Sequence, residues 1–117
     1  MSEVDIRQFM HGMKTRFDSA RAAGLTGTIQ FIIDGDNGGD FLITIADQVC
    51  DVEERRAERP SLLLRMSRET YVDMALGKLK GPEAFFRRRL RYKGDMRLLL
   101  KMHQLFPSLK VSSLPKA

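Results

Sequence analysis

The chain has 117 residues, a net charge of +5 and one cysteine; that length suits one core, and the lone Cys50 excludes an internal disulfide framework. No apolar run in the sequence reaches the roughly 20 residues of a membrane span, and Glu3 and Asp5 occupy the stretch where a secretory signal would be apolar. The expectation is one cytoplasmic domain over 1–117 with uneven charge, since residues 1–58 hold 6 Lys/Arg against 11 Asp/Glu and residues 59–117 hold 14 against 4.

Ile6, Phe9, Met10, Met13, Phe17 and Ala20 recur at spacings of three and four, which predicts an amphipathic helix over about 4–22, ended by Gly24. The period then changes to two. Ile29, Phe31 and Ile33 alternate along one strand, and Phe41, Ile43 and Ile45 along the next, with turn chemistry at 34–40 making a hairpin. A third strand is expected near 48–53 after a tight turn at Ala46-Asp47. An exposed connection at 53–60 leads to a fourth strand over 62–66. Ser67 suits the N-cap of a helix over 68–76, and Pro82 the first turn of a short helix ending at Phe86. Residues 88–93 alternate again, with Leu90 and Tyr92 opposite Arg89, Arg91 and Lys93. Gly94-Asp95 opens a last helix over 96–106, which Pro107 stops. This element order predicts an α+β fold, a five-stranded, mostly antiparallel sheet with helices covering one face.

The last helix is apolar around most of its circumference, with Met96, Leu98, Leu99, Leu100, Met102, Leu105 and Phe106 on it. That arc is wider than one core-facing stripe needs, so the helix is either buried on two sides or divided between protein and ligand. Met10, Met13, Met74, Met96 and Met102 also fall on helices. Methionine there is ordinarily core, and it is also the side chain that moulds to varied apolar ligands.

Metal and catalytic chemistry find little support. The acidic turn 34–40 matches a calcium loop at Asp34 and Asp36, but Gly38 and Ile45 stand where ligands are required. His11, His103 and Cys50 have no paired metal-ligand spacing, so no metal is expected. Nucleophile elbows, phosphate-cradling glycine loops and carboxylate pairs within apolar segments are absent from the sequence, so no cofactor and no enzymatic step are expected. Arg87, Arg88, Arg89, Arg91 and Lys93 form a basic run. It suits a solvated strand edge or an anionic headgroup or membrane surface; nucleic acid is disfavoured because Tyr92 is its sole interleaved aromatic.

Gly27-Thr-Ile-Gln-Phe-Ile-Ile33, Gly77-Lys-Leu79 before Ala84-Phe-Phe86, and Leu90-Arg-Tyr-Lys-Gly-Asp95 occur in an order that resembles the sterol carrier protein-2 lipid-transfer domain, over about residues 5–108. The resemblance implies a lipid tunnel between sheet and helices and no chemistry of its own. It implies a floor of Ile29, Phe31, Ile33, Phe41, Ile43 and Ile45, and a roof of Met74, Leu99, Met102, His103 and Phe106. His103 stands where the family has a glutamine that serves as a polar handle. Arg88 stands where the family commonly has glycine, and Pro82 sits one place later than usual. The ending Ser113-Leu-Pro-Lys-Ala117 differs from the peroxisomal ending of some relatives, so peroxisomal delivery is not expected.

The function expected is non-catalytic binding, transfer or presentation of an apolar lipid such as a fatty acyl chain, phospholipid, sterol-like molecule or isoprenoid quinone. Arg87, Arg88, Arg89 and Arg91 would meet an anionic headgroup or a membrane surface. The alternatives are an accessory scaffold presenting lipid intermediates to enzymes, such as those of quinone synthesis, and a basic nucleic-acid-binding module.

Overall fold

The computed structural model describes residues 5–76 and 78–105, without the side chains at 81, 82 and 103. Strands β1 (Gly27–Asp34), β2 (Gly39–Ala46), β3 (Val49–Glu53), β4 (Leu62–Ser67) and β5 (Leu90–Gly94) form one sheet in the order β3-β2-β1-β4-β5. β1 pairs with β4 in parallel, and the other neighbours are antiparallel. The helices are α1 (Ile6–His11), α2 (Met13–Arg16), α3 (Arg68–Ala75), α4 (Gly81–Phe86) and α5 (Met96–Leu105), with a 3-10 turn at Ala20–Ala22. The expected α+β class and five-stranded sheet are both present.

Register explains the one-sided core. Ile29 lies opposite Ile43 and Leu62, and Phe31 lies opposite Phe41 and Leu64, so alternate residues of three strands share one face. Val52 and Cys50 extend that face through β3, and Leu90 and Tyr92 through β5. Ile6, Met10, Met13, Tyr71, Ala75, Leu98 and Leu105 bring the helices down onto it in one buried cluster. The opposite face is more polar, and over its centre runs the crossover from β3 to β4, residues 54–61.

The crossover is tied down by side chains that stand in for strand partners. Gln30 is fully buried; its Nε2 donates to the carbonyl oxygens of Arg55 at 3.0 Å and Phe41 at 3.2 Å. Its Oε1 accepts from the Ala57 N–H at 2.8 Å. Two more bonds close the far end: Thr28 N–H donates to Ser61 Oγ at 3.0 Å, and Ser61 N–H donates to Thr28 Oγ1 at 2.9 Å.

Two expectations need correction. The single helix over 4–22 is three short pieces. Gly12 separates α1 from α2, and Phe17 is extended at ψ 128°. Glycine lowers helix stability by about 1 kcal/mol relative to alanine. Arg16 also donates to the Phe9 carbonyl at 2.7 Å, a group that an unbroken helix would give to the Met13 N–H. The second correction concerns the basic run. β5 begins at Leu90, and Arg87 and Arg88 belong to the end of α4. Arg88 N–H bonds the Phe85 carbonyl at 3.0 Å and Arg89 N–H the Ala84 carbonyl at 2.8 Å, the paired bonds of a Schellman end. The remaining boundaries agree closely with expectation. Ser67 caps α3, accepting from Thr70 N–H at 3.1 Å, and Asp47 and Gln48 form the turn before β3 with φ of 52° and 62°. Gly94 is required at φ 120°, where a Cβ would collide with the Ser61 carbonyl as Asp95 N–H bonds that same oxygen at 2.8 Å.

Gln30→Leu should keep the volume and orphan the Ala57 N–H and the Arg55 carbonyl, at a cost of about 2 kcal/mol or more. Urea unfolding measures it; an unchanged midpoint would mean the crossover is held by other contacts.

Candidate functional site

At the β5 edge the covering layer stops. Phe85 and Phe86 end α4, and Phe85 stacks at a tilt on Tyr92 with ring centres 5.1 Å apart. Phe86 is 80% exposed and Phe85 44%, a large apolar area for a water-facing helix end. With Leu90 and Tyr92 below them, they line an open cleft of about 600 Å³ whose rim is Arg88 and Arg91. α5 adds Met96 at 45% and Leu100 at 65% exposure, one helical turn apart, while Leu98 and Leu105 are buried in the core. The wide apolar arc therefore meets protein on one side and is uncovered on another.

A second recess of about 390 Å³ shares Arg88 and Arg91 with the cleft and adds Asp34, Arg65, Met66, Ser67 and Arg89. Asp34 takes a two-pronged bond from Arg65, Nε to Oδ2 and Nη2 to Oδ1, both at 3.0 Å. This holds the Asp34 carboxyl below its ordinary pKa, chiefly through that hydrogen bond. Arg89 is engaged inward, donating to Thr70 Oγ1 at 3.1 Å and Asp73 Oδ2 at 2.9 Å. Arg87 pairs with Glu83 on its own helix at 3.1 Å. Of the four arginines expected to read an anion, two thus serve α3 and α4, and Arg88 and Arg91 remain on the rim. Arg65 was missed because it sits inside a leucine-rich strand, where only the cross-strand register brings it opposite Arg91.

The floor residues Ile29, Phe31, Ile33, Phe41, Ile43 and Ile45 do share one face, and all are buried. Met10, Met13, Leu98 and Leu105 pack with them in one buried cluster between sheet and helices. Met74, Leu99 and Met102 are half-buried against the same core. Phe106 and the side chain of His103 lie outside the described residues.

Polar groups inside this layer are unevenly served. The Tyr71 hydroxyl is buried with no hydrogen-bond partner among the described residues, its ring edge-on to Phe9 at 6.0 Å and Phe31 at 6.3 Å. Burial pushes its phenol pKa well up, with the nearby Arg16 charge partly opposing. Arg16 lies over the Phe9 ring at 4.1 Å, and desolvation lowers its own pKa. Cys50 is buried on the same sheet face, and desolvation raises its thiol pKa from 9.0 to about 11. Among the described residues no group of three or more His, Cys, Asp or Glu is placed to hold a metal ion. Asp34 and Asp40 of the acidic turn instead pair with Arg65 and Arg56. No helix among the described residues is long and apolar enough to cross a membrane.

A five-stranded sheet with its helices on one face and an apolar cleft at its open edge defines the class, an α+β domain of the sterol-carrier architecture. The model of the SCP-2 sterol transfer family matches residues 7–107, and the chain belongs to that family. Hydroxysteroid dehydrogenase-like protein 2 of Rattus norvegicus is 30% identical over 77 residues, 65% of this chain and 15% of that protein. The chain covers 15–19% of the curated relatives it matches. Among solved structures, a double mutant of the sec-alkyl sulfatase PisA1 superposes at TM-score 0.79 and 19% identity, over 88% of this chain and 16% of that one. Sterol Carrier Protein 2 Like 2 of Aedes aegypti gives 0.71 at 15% identity, covering 86% and 92%. The ubiquinone synthesis protein UbiJ-SCP2 gives 0.62 at 13% identity, covering 90% and 89%. At these identities the structures share the fold.

Two outcomes follow from the buried groups. Tyr71→Phe should stabilise the protein by about 1 kcal/mol, because it deletes a buried hydroxyl that has no partner; a fall in Tm would show that the hydroxyl is bonded. Cys50 should resist alkylation in the native state at pH 8 and react only as the pH nears about 11. Its folded pKa is raised, so the associated stability is complete below the ordinary thiol value of 9.0 and is lost as pH climbs towards about 11. Urea midpoints across that window test the sign.

Proposed function

We propose that the chain binds one apolar lipid without chemistry of its own, taking it up at the cleft between α4 and β5. The observation that carries this is the cleft itself, about 600 Å³ lined by Phe85, Phe86, Leu90 and Tyr92 at the edge of an apolar sheet face. Its volume falls within the range of small-molecule sites. Tyr92 lies in register with Leu64, Leu64 with Phe31, and Phe31 with Phe41, so the row that lines the cleft continues into the floor. An acyl chain seated at the cleft reaches Ile29, Phe31 and Ile33 when the helical layer parts from the sheet. Met74, Leu99 and Met102 then form its roof. An apolar wall reads area at about 25 cal/mol per Å², so selectivity among chains is low.

Presentation of a lipid intermediate to a biosynthetic enzyme is a second reading. It is favoured by the likeness to UbiJ-SCP2. An enzyme co-purifying with the chain and losing output when the cleft is altered would separate presentation from free transfer.

The test is titration of the delipidated chain with a neutral fluorescent fatty alcohol, alongside native mass spectrometry of freshly purified protein. Saturable uptake of one molecule per chain is expected. Phe86→Ser should weaken it about tenfold, since burying a phenyl ring is worth roughly 1.5–3 kcal/mol. Its Tm should not change, because Phe86 is exposed. Absence of saturable uptake would end this reading.

A further inference from the structure

We propose that the basic recess beside the cleft is a subsite for a phosphate-type dianion, the headgroup of an amphiphile whose chain takes the cleft. This deepens the lipid-binding reading and rests on it.

Charge comes first. Arg65 and Arg91 face each other directly across β4 and β5, and like charges in that relation repel. Asp34 neutralises Arg65, and Asp73 neutralises Arg89. Among the described residues Arg88 and Arg91 make no ion pair, and Asp34 attracts Arg91 only at longer range, so four arginines face two carboxylates and an excess of two positive charges remains at the recess. A dianion balances them, and the guanidinium fork matches phosphate oxygens two at a time.

Backbone cost is the second observation. Arg88 sits at φ 60°, in the left-handed region, at the helix-end position that glycine usually fills. A side chain there costs stability, and the Arg88 side chain is exposed without a fold-stabilising partner among the described residues. From that position Arg88 lines both recesses, one polar and one apolar, which Arg91 also joins. Head and chain of one amphiphile are thereby served side by side.

Calorimetry with dodecyl phosphate below its micelle-forming concentration, against dodecanol and inorganic phosphate, tests this at low ionic strength. The parent should bind the phosphate amphiphile about tenfold or more tightly than the alcohol, the scale of a charge-assisted contact. Arg88→Gly with Arg91→Ser should bring that ratio to about threefold or less, whereas Arg87→Ser keeps it. Arg88→Gly alone should raise Tm, which separates loss of binding from loss of fold. Equal affinity for phosphate and alcohol in the parent overturns the subsite and leaves the cleft standing. Failure of both chains to bind removes the lipid reading itself. Inorganic phosphate binding as tightly as dodecyl phosphate assigns the recess to a free anion and overturns the amphiphile. A loss seen only on phosphatidic acid vesicles, with monomeric dodecyl phosphate unaffected, overturns it in favour of membrane docking.

Discussion

Gln30 is the side chain on which the arrangement turns. A strand that leaves the β3 edge and returns beyond β1 must cross two strands, and the crossing segment has backbone groups with no ladder to join. The Gln30 amide supplies a donor and an acceptor at that point, bonding the Arg55 carbonyl and the Ala57 N–H from the centre of the sheet. Thr28 and Ser61 repeat the device where the segment enters β4. Since a buried unpaired backbone group costs as much as a lost hydrogen bond, this exchange allows a loop to lie against the sheet. The helices are thereby left to the other face, and β4 can lie parallel to β1.

That division has a consequence at the far edge. α1 and α2 pack towards β3, and α3 packs over β1 and β4. α4 is six residues long, too short to continue the roof, and it reaches β5 mainly through Phe85 on Tyr92. Leu90 stays buried and Tyr92 half-buried, so what opens to solvent at this edge is Phe85 and Phe86 at the end of α4. The same short helix ends in the turn that sets Arg88 and Arg89. A cleft with a basic rim therefore follows from where the helical layer runs out.

Much of this was legible from residue order. A period of two in β1 and β2 identifies the buried face, because shifting a strand by one residue would send Ile29, Phe31 and Ile33 to the polar side. Ser67 and Asp95 are local caps, and both act as caps in the structure. What stayed hidden depends on contacts distant in sequence. The Gln30 role needs a loop some 25 residues away; alternation alone makes it an outward polar residue. The helix break at 12–17 is decided by Arg16 reaching back to Phe9, which apolar spacing does not register. The basic run looked like one strand edge because its sequence alternates. Glu83, Asp73 and Thr70 divide it among three tasks, and only the fold brings those partners within reach.

The two faces of the sheet also differ in how their polar groups are settled. Around β1, β2 and the crossover, buried donors and acceptors find each other, as Gln30, Thr28 and Ser61 illustrate. Within the helical layer costs persist: the Tyr71 hydroxyl and the Arg16 Nε are buried without a bond among the described residues, and Arg88 is left-handed at the end of α4. Each is worth of order 1–3 kcal/mol, a large share of a small domain's margin. Local costs of that size lower the free energy of partial opening in the elements that hold them. α2 carries Arg16 and α3 carries Tyr71, and α4, which lines the cleft, leads to Arg88. The well-bonded crossover face can then keep the sheet intact while the helical layer yields, which is the division of labour that uptake of a chain between sheet and helices would require.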